Sequence, residues 1–186
     1  MVRQLQSIEE NELIARYGAM GQRMAQFVRG EDPRRISANR PTKSISSETT
    51  FHDDIADGAT LKKILWRQAD RVARRMKCAE LAGTTVVLKL RRADFRILTR
   101  SRRLPDPTQL ADTIYRQAEE LLIKEINGTA YRLLGVGLSG LVDGAEADPL
   151  SLADPGGERR ADAERALDQV RQRFGTEAIG KGRGLP

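Results

Sequence analysis

"TTVVLKLRRADFRILTRSRRL", residues 84–104, alternates apolar and basic side chains on either side of a short break. Val86, Leu88 and Leu90 fall on one side of an extended chain and Val87, Lys89 and Arg91 on the other, the period of a half-buried strand. "RADF" (92–95) reads as a turn. Beyond it, Arg96, Leu98, Arg100 and Arg102 share one side, opposite Ile97, Thr99 and Ser101. Two such strands are expected to form a hairpin with a basic outer face. Within the segment, Lys89, Arg91, Arg92, Arg96, Arg100, Arg102 and Arg103 stand against the single acid Asp94. Residues 143–158 instead hold Asp143, Glu146, Asp148, Asp154 and Glu158 and no base. This asymmetry, in a chain of net charge +6, points to a polyanion as partner of the hairpin.

Elements on either side of the hairpin complete a domain. "KSISSETTF" (43–51) reads as a strand carrying unusually small hydroxyl side chains. Residues 58–80 place Leu61, Ile64, Leu65, Val72 and Met76 on one helical face, with Lys62, Lys63, Arg67, Arg71, Arg74 and Arg75 elsewhere. Another helix is expected after Asp106, with Pro107 at its first position and Gln109 at capping-box spacing, burying Leu110, Ile114, Ala118, Leu121 and Leu122 and ending by Gly128. "YRLLGVGLSGLV" (131–142) supplies a last strand. The order strand, helix, strand, strand, helix, strand predicts an α+β fold, a four-stranded antiparallel sheet with two helices on one face and the other face free.

Outside this domain, Ser7 with Glu10 three residues later predicts a capped helix through Leu13 and Ile14, ending near Gly18. A second helix follows, with Met20, Met24, Phe27 and Val28 on one face and Gly30 as its stop. The expected divisions are a helical piece over 1–36, a basic linker over 37–43, the sheet domain over 44–142, an acidic flexible linker over 143–158, and a C-terminal helix and tail over 159–186. The last helix carries Ala163, Leu167, Val170 and Phe174 at helical spacing, to pack back on the domain or dock a partner.

Composition excludes several chemistries. No apolar run approaches the roughly 20 residues that span a bilayer, and the N-terminus lacks the apolar centre of a signal peptide, so a cytoplasmic protein without a membrane partner is expected. One cysteine, Cys78, forms no internal disulfide, and one histidine, His52, builds no His-rich metal site. His52, Asp53 and Asp54 sit together in "FHDDI", but adjacent carboxylates on a strand point to opposite faces, so no metal site is expected there. Aromatic residues are 4% of the chain, too few for a base-stacking platform.

Three separated motifs, "RGEDPRRISANRPTKSISSETTFHDDI" (29–55), "LAGTTVVLKLRRADFRILTRSRRL" (81–104) and "RLLGVGLSGLV" (132–142), resemble the end of the thumb and the little-finger domain of Y-family DNA polymerases of the DNA polymerase IV type. The likeness runs from about residue 10 to 142 and continues weakly through "RALDQVRQRFGTEAIGKGRGL" (165–185). It implies that residues 1–36 are part of a thumb and that the free sheet face lies on DNA, touching phosphates without reading base edges. The DNA contacts it implies are Lys43, Ser44, Ser46, Ser47, Glu48 and Thr49 on the first strand and Thr99, Arg100, Ser101 and Arg102 on the hairpin. Lys89, Arg91 and Arg96 join them from the charge pattern. Glu48 repels phosphate, so its expected role is to hold Lys43 or an arginine. The family's palm, whose acidic residues hold two Mg²⁺ ions, precedes the resembling stretch, so no cofactor is expected for this chain and the chain alone is expected not to polymerise. Two further partners follow from the resemblance. One is a separately made polymerase core that this chain would complete. The other is the sliding clamp, held through "DPLSLAD" (148–154), where Leu150, Ser151 and Leu152 match the middle of a clamp-binding peptide.

Overall fold

Four extended segments pair into one antiparallel sheet, β1 (Ser44–Ile55), β2 (Leu81–Arg92), β3 (Ile97–Thr108) and β4 (Tyr131–Asp143), in the order β1-β4-β2-β3. The computed structural model describes residues 2–36, 41–149 and 156–184, and it divides into two units, Met1–Pro41 and Thr42–Pro186. The division falls inside the basic stretch that the sequence marks as a linker.

Two helices cover one face of the sheet. The longer, α4 (Gly58–Cys78), starts at Asp57, whose side chain accepts from the Ala59 and Thr60 amides at 3.4 and 2.7 Å. Hydrogen bonds from Thr60 hold the Asp57 carboxyl below the usual carboxylate range. The helix buries Leu61, Leu65, Ala69, Val72 and Met76 completely, each large aliphatic side chain stabilising by roughly 1.5–3 kcal/mol. Beside it, α5 (Ala111–Ile123) buries Ile114, Ala118 and Leu122. Opposite them the sheet offers Val86, Leu88 and Leu90 from β2 and Leu134, Val136 and Leu138 from β4. Trp66 joins this core at 3% exposure, edge-on to Tyr115 with ring centroids 5.4 Å apart.

β3 runs farther than its alternation predicts, through Pro105 and Pro107 to Thr108. Pro107 is therefore a strand residue rather than the first residue of α5. An outermost strand tolerates proline, because the missing N–H belongs to no ladder bond. The start of α5 is capped from far away instead. Glu164 of α6 (Gly157–Phe174) accepts from the Ala111 and Asp112 amides, both at 2.9 Å, placing a carboxylate where the helix dipole is positive. Its side chain is 5% exposed and also faces Lys77 and Lys181 at 3.4 and 3.5 Å.

The apolar spacing of α6 forms only part of its contact: Leu167 and Val170 are half-buried, and Leu167 lines a crevice with Trp66, Ala73 and Ala111. Ala163 is exposed and Phe174 is 66% exposed, while the helix docks through Glu164, Asp168 against Lys77 at 2.6 Å, and Arg171 against Asp70 at 2.9 Å. The acidic segment also belongs in part to the fold. β4 continues to Asp143, and the Asp148 carboxylate accepts from the Thr108 hydroxyl and the Gln109 amide. Burial pushes the Asp148 carboxyl up.

In the N-terminal unit, α1 (Val2–Gln6) precedes α2 (Glu10–Tyr17) and α3 (Ala19–Val28). Ser7 does not cap α2. Its hydroxyl donates to the Gln4 carbonyl, and the position before the helix is Glu9. α3 packs on α2 through Gly21 and Ala25, whereas Met20 and Phe27 are exposed. Contact is so close that a Cβ on Gly21 would lie 2.0 Å from the Leu13 carbonyl oxygen. Small residues, not the larger apolar ones, set the spacing of this pair.

Replacing Glu164 with Ala strips the α5 cap, and the urea midpoint should fall by the equivalent of about 1–2 kcal/mol with an unchanged m value. A second expectation concerns alkali. The Tyr115 phenol is pushed up to about 12, first by burial and then by its hydrogen bond to Glu119. A folded pKa above the unfolded one gives stability that is complete below about 10 and is lost as pH rises through about 12. Tyr115→Phe should therefore lose less stability than the wild type between those two values, as read by denaturant midpoints across that range.

Candidate nucleic-acid interface

Side chains on successive residues of a strand alternate between faces, and directly paired residues share one. The register therefore assigns each predicted contact to a side. On the face away from the helices, Ser44, Ser139, Thr85 and Arg103 form one row across β1, β4, β2 and β3, and Ser46, Gly137, Val87 and Ser101 form the next. Glu48, Gly135, Lys89 and Thr99 follow, then Thr50, Leu133, Arg91 and Ile97. The sheet thus brings together Ser44, Ser46, Glu48, Lys89, Arg91, Thr99 and Ser101 from the predicted set.

The middle of this face is hollow. Gly135 and Gly137 floor a trough of about 300 Å³ between Ser46 and Glu48 on one side and Val87 and Lys89 on the other. A Cβ on Gly137 would lie 2.6 Å from the Ser46 Cβ, and one on Gly135 would lie 2.7 Å from the Glu48 Cβ. The two glycines are therefore what allow β1 and β4 to pair at this depth. Across the trough, Lys89 Nζ donates to Glu48 Oε2 at 2.8 Å, both side chains being more than a third exposed. The partner of Glu48 is thus Lys89 rather than Lys43 or an arginine.

The remaining predicted contacts point elsewhere. Ser47 and Thr49 turn toward the helix layer, where the Ser47 hydroxyl donates to Gln68 Oε1 at 2.5 Å. Arg100 and Arg102 pair with Leu88 and Val86 and so lie on the helix-covered side. There, Arg100 Nε donates to Glu125 Oε1 at 2.8 Å, and Arg102 donates to Gln117 Oε1 at 3.0 Å and to Glu120. Arg96 sits in the hairpin turn, exposed, with Asp94 at 3.5 Å. Lys43 is exposed just before β1. Leu150, Ser151 and Leu152 lie outside the described residues.

Two features had escaped the sequence reading. Arg103 shares the open face and is exposed. Its position at the end of the alternating run Thr99, Ser101, Arg103 was the available signal. Arg75 of α4 reaches the outer edge of β1, where Nη1 donates to the Ser46 carbonyl at 2.6 Å. Amide groups of alternate residues point to the same side of a strand, so the Ser44, Ser46 and Glu48 amides face that free edge.

Residues 42–152 match the model described as the impB/mucB/samB family C-terminal domain. The chain belongs to this family. Its match begins where the second structural unit begins, at Thr42. The family member "DNA polymerase IV" of Brucella melitensis biotype 1 is 46% identical over 179 residues, covering 96% of this chain and 40% of the relative. "DNA polymerase IV 1" of Mesorhizobium japonicum is 47% identical over 179 residues, covering 96% of this chain and 41% of the relative. The chain thus spans about two fifths of the length of these curated relatives. A solved chimeric Y-family DNA polymerase shares the fold at 18% identity and TM-score 0.53, covering 76% of this chain and 41% of that one. The α+β arrangement of this family member is thus that of a Y-family polymerase's C-terminal region. Among its described residues, no helix is long and apolar enough to cross a membrane.

Gly137→Val should be costly, because the new side chain has to push β1 off β4. A loss of about 1–3 kcal/mol in denaturant unfolding is expected, with a smaller loss for Gly137→Ala.

Proposed function

We propose that the sheet domain binds the DNA backbone without reading sequence, serving as the DNA-holding part of a translesion polymerase of the DNA polymerase IV type in DNA repair. The observation that carries this reading is the open face itself, with basic side chains Lys89, Arg91 and Arg103 on the β2 and β3 side of a trough floored by glycine and edged by serines. A surface floored by glycine presents few groups able to distinguish base edges. Hydroxyls and free amides of a strand edge suit phosphate oxygens, as do flexible cations. Glu48 gives the surface a counterweight, since it neutralises Lys89 until a phosphate competes for it.

Arg100 and Arg102 play a secondary part in this reading. Each is held by a carboxylate of α5 or the turn after it, and giving up that partner offsets what a phosphate contributes. In this reading the catalytic chemistry of such a polymerase lies in other parts, and this domain acts on the position of the duplex.

Fluorescence-anisotropy titration of a short primer-template duplex across a salt series tests the reading. Lys89→Ala with Arg103→Ala should weaken binding to all sequences alike and lower the slope of log K against log salt by about 2, since each lost phosphate contact removes about 0.9. Arg100→Ala with Arg102→Ala should lower it by less. Glu48→Gln should tighten binding and steepen the slope by about 1. An unchanged slope in the Lys89 and Arg103 variant would falsify the open face as the DNA surface.

A further inference from the structure

On the helix-covered side of the sheet, residues 181–184 lie against Trp66 and Arg67 of α4 and Tyr115 of α5. Lys181 Nζ sits 5.2 Å from the centre of the Trp66 ring, and the Arg183 guanidinium lies 5.1 Å from Trp66 and 5.2 Å from Tyr115. Cations over aromatic faces are attracted by the ring quadrupole, and here each cation also faces a carboxylate. Asp112, whose side chain is 8% exposed, faces Arg183 at 3.4 Å, and Glu164 faces Lys181 at 3.5 Å. From the other side, Arg67 Nε donates to the Gly184 carbonyl at 2.8 Å. Gly184 packs flat on the indole, so that a Cβ there would lie 2.6 Å from Trp66 Cδ1.

Each part of this contact reads a different property of the segment. The two rings and two carboxylates select positive charge at alternate positions, Arg67 selects a backbone carbonyl, and the indole surface excludes a side chain at the position after Arg183. Such a combination is more selective than the closure of a core requires. We propose that Trp66, Tyr115, Asp112 and Arg67 form a recognition surface for a short cationic peptide with glycine after its arginine. Lys181–Gly184 occupies it within the chain. A peptide of the same sequence binds there when that segment leaves. Tethering gives the chain's own segment an effective concentration that short flexible linkers raise to the millimolar range, so the free peptide competes only once the tethered copy is weakened.

Trp66 is the protein's only tryptophan, and its emission therefore reports occupancy directly in the full chain. Lys181→Ala with Arg183→Ala should shift the emission to the red and raise acrylamide quenching at least twofold. Gly184→Val, which keeps both charges, should do the same by steric exclusion. Adding a peptide of residues 179–184 to the Lys181 and Arg183 variant at low salt should restore the wild-type emission, whereas the peptide with alanine at both cationic positions should not. Asp112→Asn in that variant should weaken the response to the peptide several-fold. Unchanged emission in the two tail variants, or a peptide that fails to restore it at millimolar concentration, would overturn the proposal.

Discussion

Everything in the sheet domain depends on the alternation of β4, one of the two strands paired on both sides and the one that joins β1 to the rest. Leu134, Val136 and Leu138 enter the helix layer, while Gly135, Gly137 and Ser139 face outward. A slip of one residue would carry three large apolar side chains to the open face and leave the α4–α5 layer on glycine. The register of β4 fixes those of β1 and β2, and β2 in turn fixes β3. One strand thus decides both which face has a core and which face is smooth.

That smoothness has an electrostatic side. The basic residues of the open face, Lys89, Arg91 and Arg103, all stand on β2 and β3, so positive charge flanks the glycine depression on one side while β1 offers hydroxyls and Glu48 on the other. The Glu48–Lys89 pair bridges the depression at its middle. Exposed pairs of this kind add little to stability, about 0–1 kcal/mol, and this one is better understood as setting the charge of the surface than as holding strands together.

Much of the fold was legible because it rests on local periodicity. The alternation of 84–91 and the apolar stripes of α4 and α5 gave the strand and helix order, and the motif resemblance agrees with the matched family. What was not legible depended on partners far away in sequence. Pro107 looks like a helix start, and nothing nearby in sequence says that Glu164 caps α5 instead. Serine and arginine tolerate either side of a strand, so Ser47, Arg100 and Arg102 could be placed in the element but not by their partners Gln68, Glu125 and Glu120. In α6 the apolar spacing was present in the sequence, yet only Leu167 and Val170 are half-buried, and ion pairs to Lys77 and Asp70 complete the contact.

Arg75 and the two prolines of β3 bear on a hazard common to every open sheet, the addition of a foreign strand to an unpaired edge. A foreign strand would need both the amide and the carbonyl of each outward residue. On β1 the outward Ser46 carbonyl is already taken by Arg75, and on β3 Pro105 and Pro107 have no amide to give. The β1 edge can still offer N–H groups to an oxyanion, which asks for nothing in return. A margin with its carbonyl already engaged therefore discourages the edge-to-edge stacking by which copies of a β-protein aggregate.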